Sequence, residues 1–145
     1  MSFFKAMDIS SSGLAAQRLR MNVLSANLAN AQSTRGDDGG PYKRRDVVFS
    51  ATPTGTAFED FLTGDHGVQL SKVDVVDIHK DTKAPRRVFD PSHPDANEQG
   101  FVDLPNVEVM TEMVNMIAAT RAFEANATAL NDAKSMAMKA LEIGR

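Results

Sequence analysis

Proline and glycine are confined almost entirely to the middle of this 145-residue chain. All six prolines and seven of the nine glycines lie within residues 36–105. The flanking segments, residues 1–34 and 106–143, contain only Gly13 of these two residue types. Since proline and glycine are the residues that most strongly interrupt helices, this distribution predicts two long terminal helices around a non-helical middle.

The periodicity of the two ends and the turn residues between them indicate an α+β fold. We expect the long N- and C-terminal helices to pair as a coiled coil, with a small β-rich domain inserted between them. The expected domains are a helical assembly domain, residues 1–34 and 106–145, and a β-rich middle domain with loops, residues 35–105. We expect the C-terminal helix to begin at Asn106, because asparagine commonly caps helix N-termini. The strand candidates are residues 42–49, 68–78 and 86–89.

Large apolar residues recur every seven positions in both terminal segments, which is the spacing of a coiled-coil seam. Other apolar residues lie on further faces, and a helix with several apolar stripes requires several neighbours. We therefore expect the helices to assemble with other chains as well as with each other. The candidate assembly and packing residues are Met7, Leu14, Met21, Leu24, Leu28, Val109, Met113, Met116, Ile117, Phe123, Leu130 and Leu141.

The composition argues against several classes of protein. The net charge of −3 is unlike that of nucleic-acid-binding proteins with a basic surface. The absence of cysteine excludes disulfides, thiolate nucleophiles and cysteine-ligated metal sites. No uncharged apolar run reaches about 18 residues, so no membrane-spanning helix is expected. The first residues lack the apolar stretch of a secretory signal, which predicts a cytoplasmic chain or one exported without a cleaved signal.

No motif for catalysis or cofactor binding stands out, and we expect no catalytic, cofactor-binding or metal-binding residues. The three histidines, His66, His79 and His93, lack the i, i+4 spacing to a second ligand that metal-binding helices use. The alternating polar residues from Asp77 to Asp81 are a candidate metal corner, although a solvated strand face explains the same pattern. A small metal-dependent hydrolase that uses these residues is one alternative function.

Basic clusters and helical asparagines are the remaining polar features. The clusters at residues 43–45 and 83–87 are better explained by ion pairs with nearby acidic residues than by contact with nucleic acid or lipid. The asparagines of the long helices either face solvent or set the register across a helix interface, and the sequence leaves both readings open. They are Asn22, Asn27, Asn30 and Asn126.

Motifs in all three parts of the chain carry a family resemblance. They include SGLAAQRLRMN at residues 12–22, ANLANA at 26–31, GGPY at 39–42, RVFDPSHPDA at 87–96 and RAFEAN at 121–126. Together they resemble the bacterial flagellar rod and hook family over nearly the whole chain. The short length is similar to that of proximal-rod members, because longer members carry additional domains. The family-motif residues are Asn22, Asn27, Asn30, Asp90, Pro91, His93, Pro94 and Asn126.

The resemblance implies a structural protein of the flagellar basal body, with no enzymatic activity and no cofactor. It implies that the terminal helices line the inner tube of the rod, which surrounds the export channel and transmits torque. The implied partners are further copies, other flagellar rod proteins, the rod-base adaptor, the membrane (MS) ring and the flagellar type III export apparatus. Neither nucleic acid nor a direct membrane span is implied. The chain would lie in the rod that crosses the periplasm, after export without a cleaved signal peptide.

Two further functions are compatible with the terminal helices. The chain could act as a coiled-coil adaptor for one soluble partner, or as another short axial protein of the flagellum. A single buried seam between two matched helices favours the adaptor. Apolar stripes on several helix faces favour the rod subunit.

Overall fold

The computed structural model describes residues 3–36, 39–54 and 70–144. In chain order its elements are α1 (Phe3–Ala29), β1 (Arg45–Pro53), β2 (Ser71–Lys80), β3 (Arg86–Phe89), β4 (Phe101–Leu104) and α2 (Val109–Ile143). This order confirms the predicted α+β fold, with long terminal helices and a small β region between them. The first two residues of the strand predicted at residues 68–78 lie outside the described residues.

The C-terminal helix begins two residues later than predicted. Asn106 is not its cap; the N-cap position is Glu108, which has an extended backbone and makes no capping hydrogen bond through its side chain. Val107, in the segment between β4 and α2, is buried. At about 1.5 Å per residue, α1 is about 40 Å long and α2 about 52 Å. Within the described residues, neither helix is long and apolar enough to cross a membrane.

The two helices pack against each other in antiparallel directions. Gly13 of α1 lies beside Asn126 of α2, and Asn27 near the end of α1 meets Glu112 near the start of α2. Half of the buried residues of the two helices are glycine or alanine, which allows the helix axes to approach closely. The buried residues are Gly13, Ala16, Val23, Leu24 and Asn27 on α1, and Glu112, Ala119 and Ala133 on α2.

Strands β1 and β2 form a long antiparallel hairpin that packs on α1. A β-bulge shifts the register just before Phe49. The Ser12 hydroxyl accepts a hydrogen bond from the backbone N–H of Val73 at 3.1 Å, and Asp8 forms an ion pair with Lys72. Helix α1 therefore lies between the hairpin and α2, whereas α2 packs only against α1 among the described elements.

Strands β3 and β4 form a second antiparallel hairpin, which packs against none of the other described elements. The rings of Phe89 and Phe101 meet edge to face, with centroids 5.2 Å apart, and Arg87 Nε donates to Asp103 Oδ1 at 3.0 Å. Gly100 has a φ of +79°, and a β-carbon there would lie 2.9 Å from the Phe89 ring. Strand β4 was not among the predicted strands.

Candidate assembly surface

A cluster of polar side chains joins α1, the chain before β1 and the start of α2. This polar junction consists of Asn27, Tyr42, Arg44, Arg45 and Glu112. Asn27 is fully buried, and only 1% of the Glu112 surface is exposed. Burying polar groups is costly unless they are hydrogen-bonded, so their partners determine whether the cluster stabilises the fold.

The Asn27 side chain satisfies all four of its hydrogen-bonding positions. Its Nδ2 donates to the carbonyl oxygen of Arg45 at 2.7 Å and to Oε2 of Glu112 at 2.9 Å. Its Oδ1 accepts from the backbone N–H of Arg45 and from the hydroxyl of Tyr42, both at 2.9 Å. Since an asparagine amide offers two donors and two acceptors, Asn27 holds the first residue of β1 to α1 with no hydrogen-bonding capacity left over.

Glu112 brings a buried negative charge to the junction, and Arg44 balances it. Arg44 Nε donates to Oε1 of Glu112 at 2.7 Å, and its Nη1 lies 3.2 Å from Oδ2 of Asp46. Burial alone would lower the pKa of Arg44, but the hydrogen bond and charge of Glu112, with those of Asp46, raise it above its ordinary value. The guanidinium therefore stays charged, and each oxygen of Glu112 has a donor.

Tyr42 contributes a protonated hydroxyl to the junction. Burial raises the pKa of this hydroxyl; the charge of Arg45 opposes the shift, and the charge of Glu112 adds to it. The guanidinium carbon of Arg45 lies 5.7 Å from the centroid of the Tyr42 ring. Because a phenol must be protonated to donate to Asn27, these effects favour the hydrogen bond seen in the structure.

Sequence reasoning identified Asn27 but missed Tyr42, Arg44 and Glu112 as its partners. Of the two open readings for the helical asparagines, the structure supports the interface reading at position 27. Glu112 belongs to a seven-residue series that includes Ala119 and is buried along α2. A search for apolar periodicity overlooks this series because its members are small or polar.

The other helical asparagines take different positions. Asn22 is exposed, whereas Asn30 and Asn126 are half-buried. The amide of Asn30 donates to the carbonyl of Ala26, and that of Asn126 to the carbonyl of Ala122, both at 2.9 Å. These two asparagines therefore bond to their own helices, although Asn126 also lies against α1.

Most of the predicted packing residues flank the seam between the helices. Leu24 alone among them is fully buried. The half-buried members are Met7, Leu14, Met21, Leu28, Met116, Phe123 and Leu130. The exposed members are Val109, Met113, Ile117 and Leu141. Because small residues form the seam, these large side chains are left at its edges and on outer faces, and their role in assembly stays a prediction.

The family motif between β3 and β4 forms a hydrogen-bonded turn. Oδ1 of Asp90 accepts from the backbone N–H of Ser92 at 3.1 Å and from its hydroxyl at 2.6 Å, and these bonds lower the pKa of Asp90. Nδ1 of His93 accepts from the backbone N–H of Asp95 at 3.1 Å. The remaining motif residues, which are exposed, are Pro91 and Pro94.

Asp95 connects this turn to the end of α1. Its Oδ2 accepts from the Thr34 hydroxyl at 2.7 Å, and its other oxygen forms an ion pair with Arg35. The hydrogen bond from Thr34 lowers the pKa of Asp95, and Arg35 lowers it further. The second hairpin is thus held near α1 by side chains that need a charged carboxylate.

We expect this contact to be lost in acid. Because the folded-state pKa of Asp95 is depressed, its stabilising effect is complete above the unfolded-state value of about 3.9 and is lost as pH falls through the lower folded-state value. An NMR titration of the Asp95 carboxyl should show a low midpoint that rises in Thr34→Val. Thr82→Val, at an exposed position, should leave it unchanged; a midpoint unaffected by Thr34→Val would contradict the assigned cause.

The candidate metal corner does not form a ligand cluster. The side chains of Asp77 and Asp81 each accept a nearby backbone N–H, at 2.8 and 2.9 Å. No group of three histidine, cysteine, aspartate or glutamate side chains within the described residues is placed to hold a metal ion. His66, which was not part of the candidate corner, lies outside the described residues.

Members of both basic clusters form ion pairs with acidic side chains. Arg44 pairs with Glu112 and Asp46, and Arg87 of the second cluster pairs with Asp103 across β3 and β4. These contacts agree with the ion-pair reading of the clusters.

A long helix pair with large apolar residues on its outer faces is typical of structural proteins that assemble through their helices. Two family models match the segments that form it. A model described as flagella basal body rod protein matches residues 7–36, and one described as flagellar basal body rod FlgEFG protein C-terminal matches residues 98–143. The matched segments include Asn27 and Glu112, which meet at the polar junction.

Full-length relatives narrow the assignment. The chain is 41% identical to the flagellar basal-body rod protein FlgC of Borreliella burgdorferi, over 99% of this chain and 98% of the relative. It is 40% identical to the FlgC proteins of Bacillus subtilis and Salmonella typhimurium, over 100% of both chains in each case. The chain belongs to the FlgC family of flagellar basal-body rod proteins. It is a structural subunit of the rod in the flagellar basal body, not an enzyme, and assembles with other rod components.

Proposed function

We propose that the chain is a proximal-rod subunit that assembles through its terminal helices into the drive shaft of the flagellum. The shaft transmits torque and surrounds the export channel. Residues 1–34 and 106–145 form the helical assembly domain, and residues 35–105 form the β-rich domain on the outside. The similarity to FlgC proteins supports the rod, and the helix pair supports this division of the chain.

The outer faces of α2 are the observation that carries the proposal. This helix packs only against α1 among the described elements, yet Met110 and Val114 are 69% and 63% exposed. Soluble monomers rarely leave large apolar patches in water. A helical tube requires head-to-tail contacts that do not close on themselves, and each subunit must then present several contact faces. Helices with apolar stripes on several faces can supply these contacts. An adaptor with a single partner would need only one such face.

The proposal also includes the route and the neighbours of the chain. The subunit is exported by the flagellar type III apparatus without cleavage of a signal peptide and takes its place in the rod that crosses the periplasm. Its neighbours are further copies, other rod proteins, and the rod-base adaptor at the membrane (MS) ring.

A strain that lacks this chain tests the proposed place in the rod. Electron microscopy of its cell envelopes should show membrane rings without a completed rod or hook, and the wild-type gene should restore both. A complete rod and hook in the deletion strain would remove the chain from the shaft and favour the adaptor function.

Leu28→Asp should block assembly of the rod. Leu28 is half-buried near the end of α1, where a charge would have to be buried against any apolar neighbour, at a cost of several kcal/mol. Swimming in soft agar and electron microscopy of envelopes measure the effect. Gln32→Asp, at an exposed site just after the end of α1, is the control and should swim normally. An intact rod that contains the Leu28→Asp chain would contradict a role for this position in assembly.

A further inference from the structure

An open groove runs between the two helices, and its described lining comes from α1 and α2. We call it the helix groove; its apolar lining is formed by Leu14, Met21, Met116 and Phe123, and its volume is about 720 Å³. On α1 the lining residues recur at helical spacing, as do those on α2. The groove exists because the small residues of the seam leave these larger side chains at its edge.

The last two turns of α2 project beyond α1. The contacts Asn27–Glu112 and Gly13–Asn126 fix the antiparallel register, and this register places Phe3 opposite residue 136. We call residues 136–143 the α2 tail. Its apolar side chains are strongly exposed; Leu141 is 75% and Met138 56% exposed.

The tail and the groove are complementary in charge. Arg18 lines the groove and is exposed, and it forms no ion pair among the described residues. Glu142 is also exposed and unpaired within the described chain. On a helix, residues three and four positions apart share a face, so Met138, Leu141 and Glu142 lie on one side of the tail.

The tail cannot reach the groove of its own chain. Leu141 lies on the same continuous helix as Thr120 of the groove and is about 32 Å further along it. Any tail that enters the groove therefore comes from another molecule. A contact between two different surfaces of identical chains does not close on itself and propagates head to tail, which is the kind of contact that a rod requires.

We propose that the helix groove of one copy binds the α2 tail of a second copy, with Met138 and Leu141 on its apolar lining and Glu142 paired with Arg18. This inference rests on the proposed rod function and specifies one partner of the subunit. In a head-to-tail arrangement the tail runs antiparallel to α1 of the receiving copy. Placing Glu142 at Arg18 then brings Ser135 opposite Ser25.

Cysteine cross-linking tests this register directly, because the chain has no native cysteine. One tagged copy carries Ser25→Cys and a second, differently tagged copy carries Ser135→Cys. Both serines are exposed, and each single variant must support swimming. Envelopes from cells that express both copies are treated with a short bismaleimide. We expect a covalent dimer that carries both tags and is absent when either variant is expressed alone.

Charge reversal and a distant cysteine provide the controls. Arg18→Glu should reduce the yield of the dimer several-fold, and combining it with Glu142→Arg should restore it. Replacing Ser25→Cys by Ser92→Cys, an exposed site on the β3–β4 turn, should give no dimer. Equal yields from Ser25→Cys and Ser92→Cys, or no effect of Arg18→Glu, would overturn the inference.

The test separates this inference from the proposed function. If rods require the chain but Ser135→Cys cross-links only to a different rod protein, the second-copy partner is wrong while the rod function stands. If rods form normally without the chain, the rod function itself fails. If two copies of this chain cross-link but Arg18→Glu does not lower the yield of the dimer, the copies meet elsewhere than in the helix groove.

Discussion

Asn27→Asp should lower the free energy of unfolding by about 3–5 kcal/mol, the cost of leaving a buried charge without a partner. The new carboxylate would have no donor for Glu112 Oε2, which lies 2.9 Å from the present amide nitrogen. It would also lose the bond to the Arg45 carbonyl and place two negative charges side by side. Since domains are stable by about 5–15 kcal/mol, this single change should remove a large share of the stability. Urea unfolding followed by far-UV circular dichroism measures the loss.

Two variants show whether the loss comes from charge at the junction. Asn22→Asp makes the same chemical change at an exposed position of the same helix and should alter stability by less than about 0.5 kcal/mol. Adding Glu112→Gln to Asn27→Asp removes one negative charge and supplies an amide donor, so it should recover part of the stability. Equal losses at positions 22 and 27 would mean that the polar junction is not a stabilising element.

Gly13→Leu should separate the two helices and destabilise the chain by about 2–3 kcal/mol, within the range for overpacked sites. A β-carbon at position 13 would lie 3.1 Å from the Asn126 side chain, and the rest of a leucine side chain has no room between the helices. Gly13→Ala should be close to neutral, because alanine gains about 1 kcal/mol of helix propensity over glycine while Asn126 shifts slightly. The midpoint of urea unfolding measures both variants.

A second substitution, at position 126, tests whether a steric clash causes the loss of stability in Gly13→Leu. Asn126→Ala removes the side chain that faces Gly13 and should restore much of the stability of Gly13→Leu. Ala15→Leu, at an exposed position two residues further on, should change the stability by less than about 0.5 kcal/mol. If Asn126→Ala gives no recovery, the helices are not in close contact at this point.

The contrast between the predicted and the observed helix seam shows what periodicity can establish. A seven-residue repeat of Leu14, Met21 and Leu28 correctly indicated a helix. It did not indicate which stripe faces the partner helix, because several stripes of these helices repeat at the same interval. Close packing selected the stripe that contains Gly13 and Ala16, since smaller side chains let the axes approach further. The larger side chains then fell at the edges, where they line the helix groove.

Local chemistry in the sequence determined the parts of the protein that depend on neighbouring residues. The distribution of proline and glycine determined the two helices, and the residues from Asp90 to Ala96 determined a turn, because a helix or a turn forms its hydrogen bonds within a few residues. Three of the four strands were also recognisable from the sequence, whereas β4 was not.

Tertiary structure alone decided the polar junction and the buried seam. Asn27 and Glu112 are 85 residues apart in sequence, and Arg44 is 68 residues from Glu112. An acidic residue near the start of a helix is ordinarily stabilised by the helix dipole and by water. Only the antiparallel pairing of α1 and α2 buries Glu112 and gives it an arginine and an amide as partners. That pairing is a long-range property, which no local pattern of residues specifies.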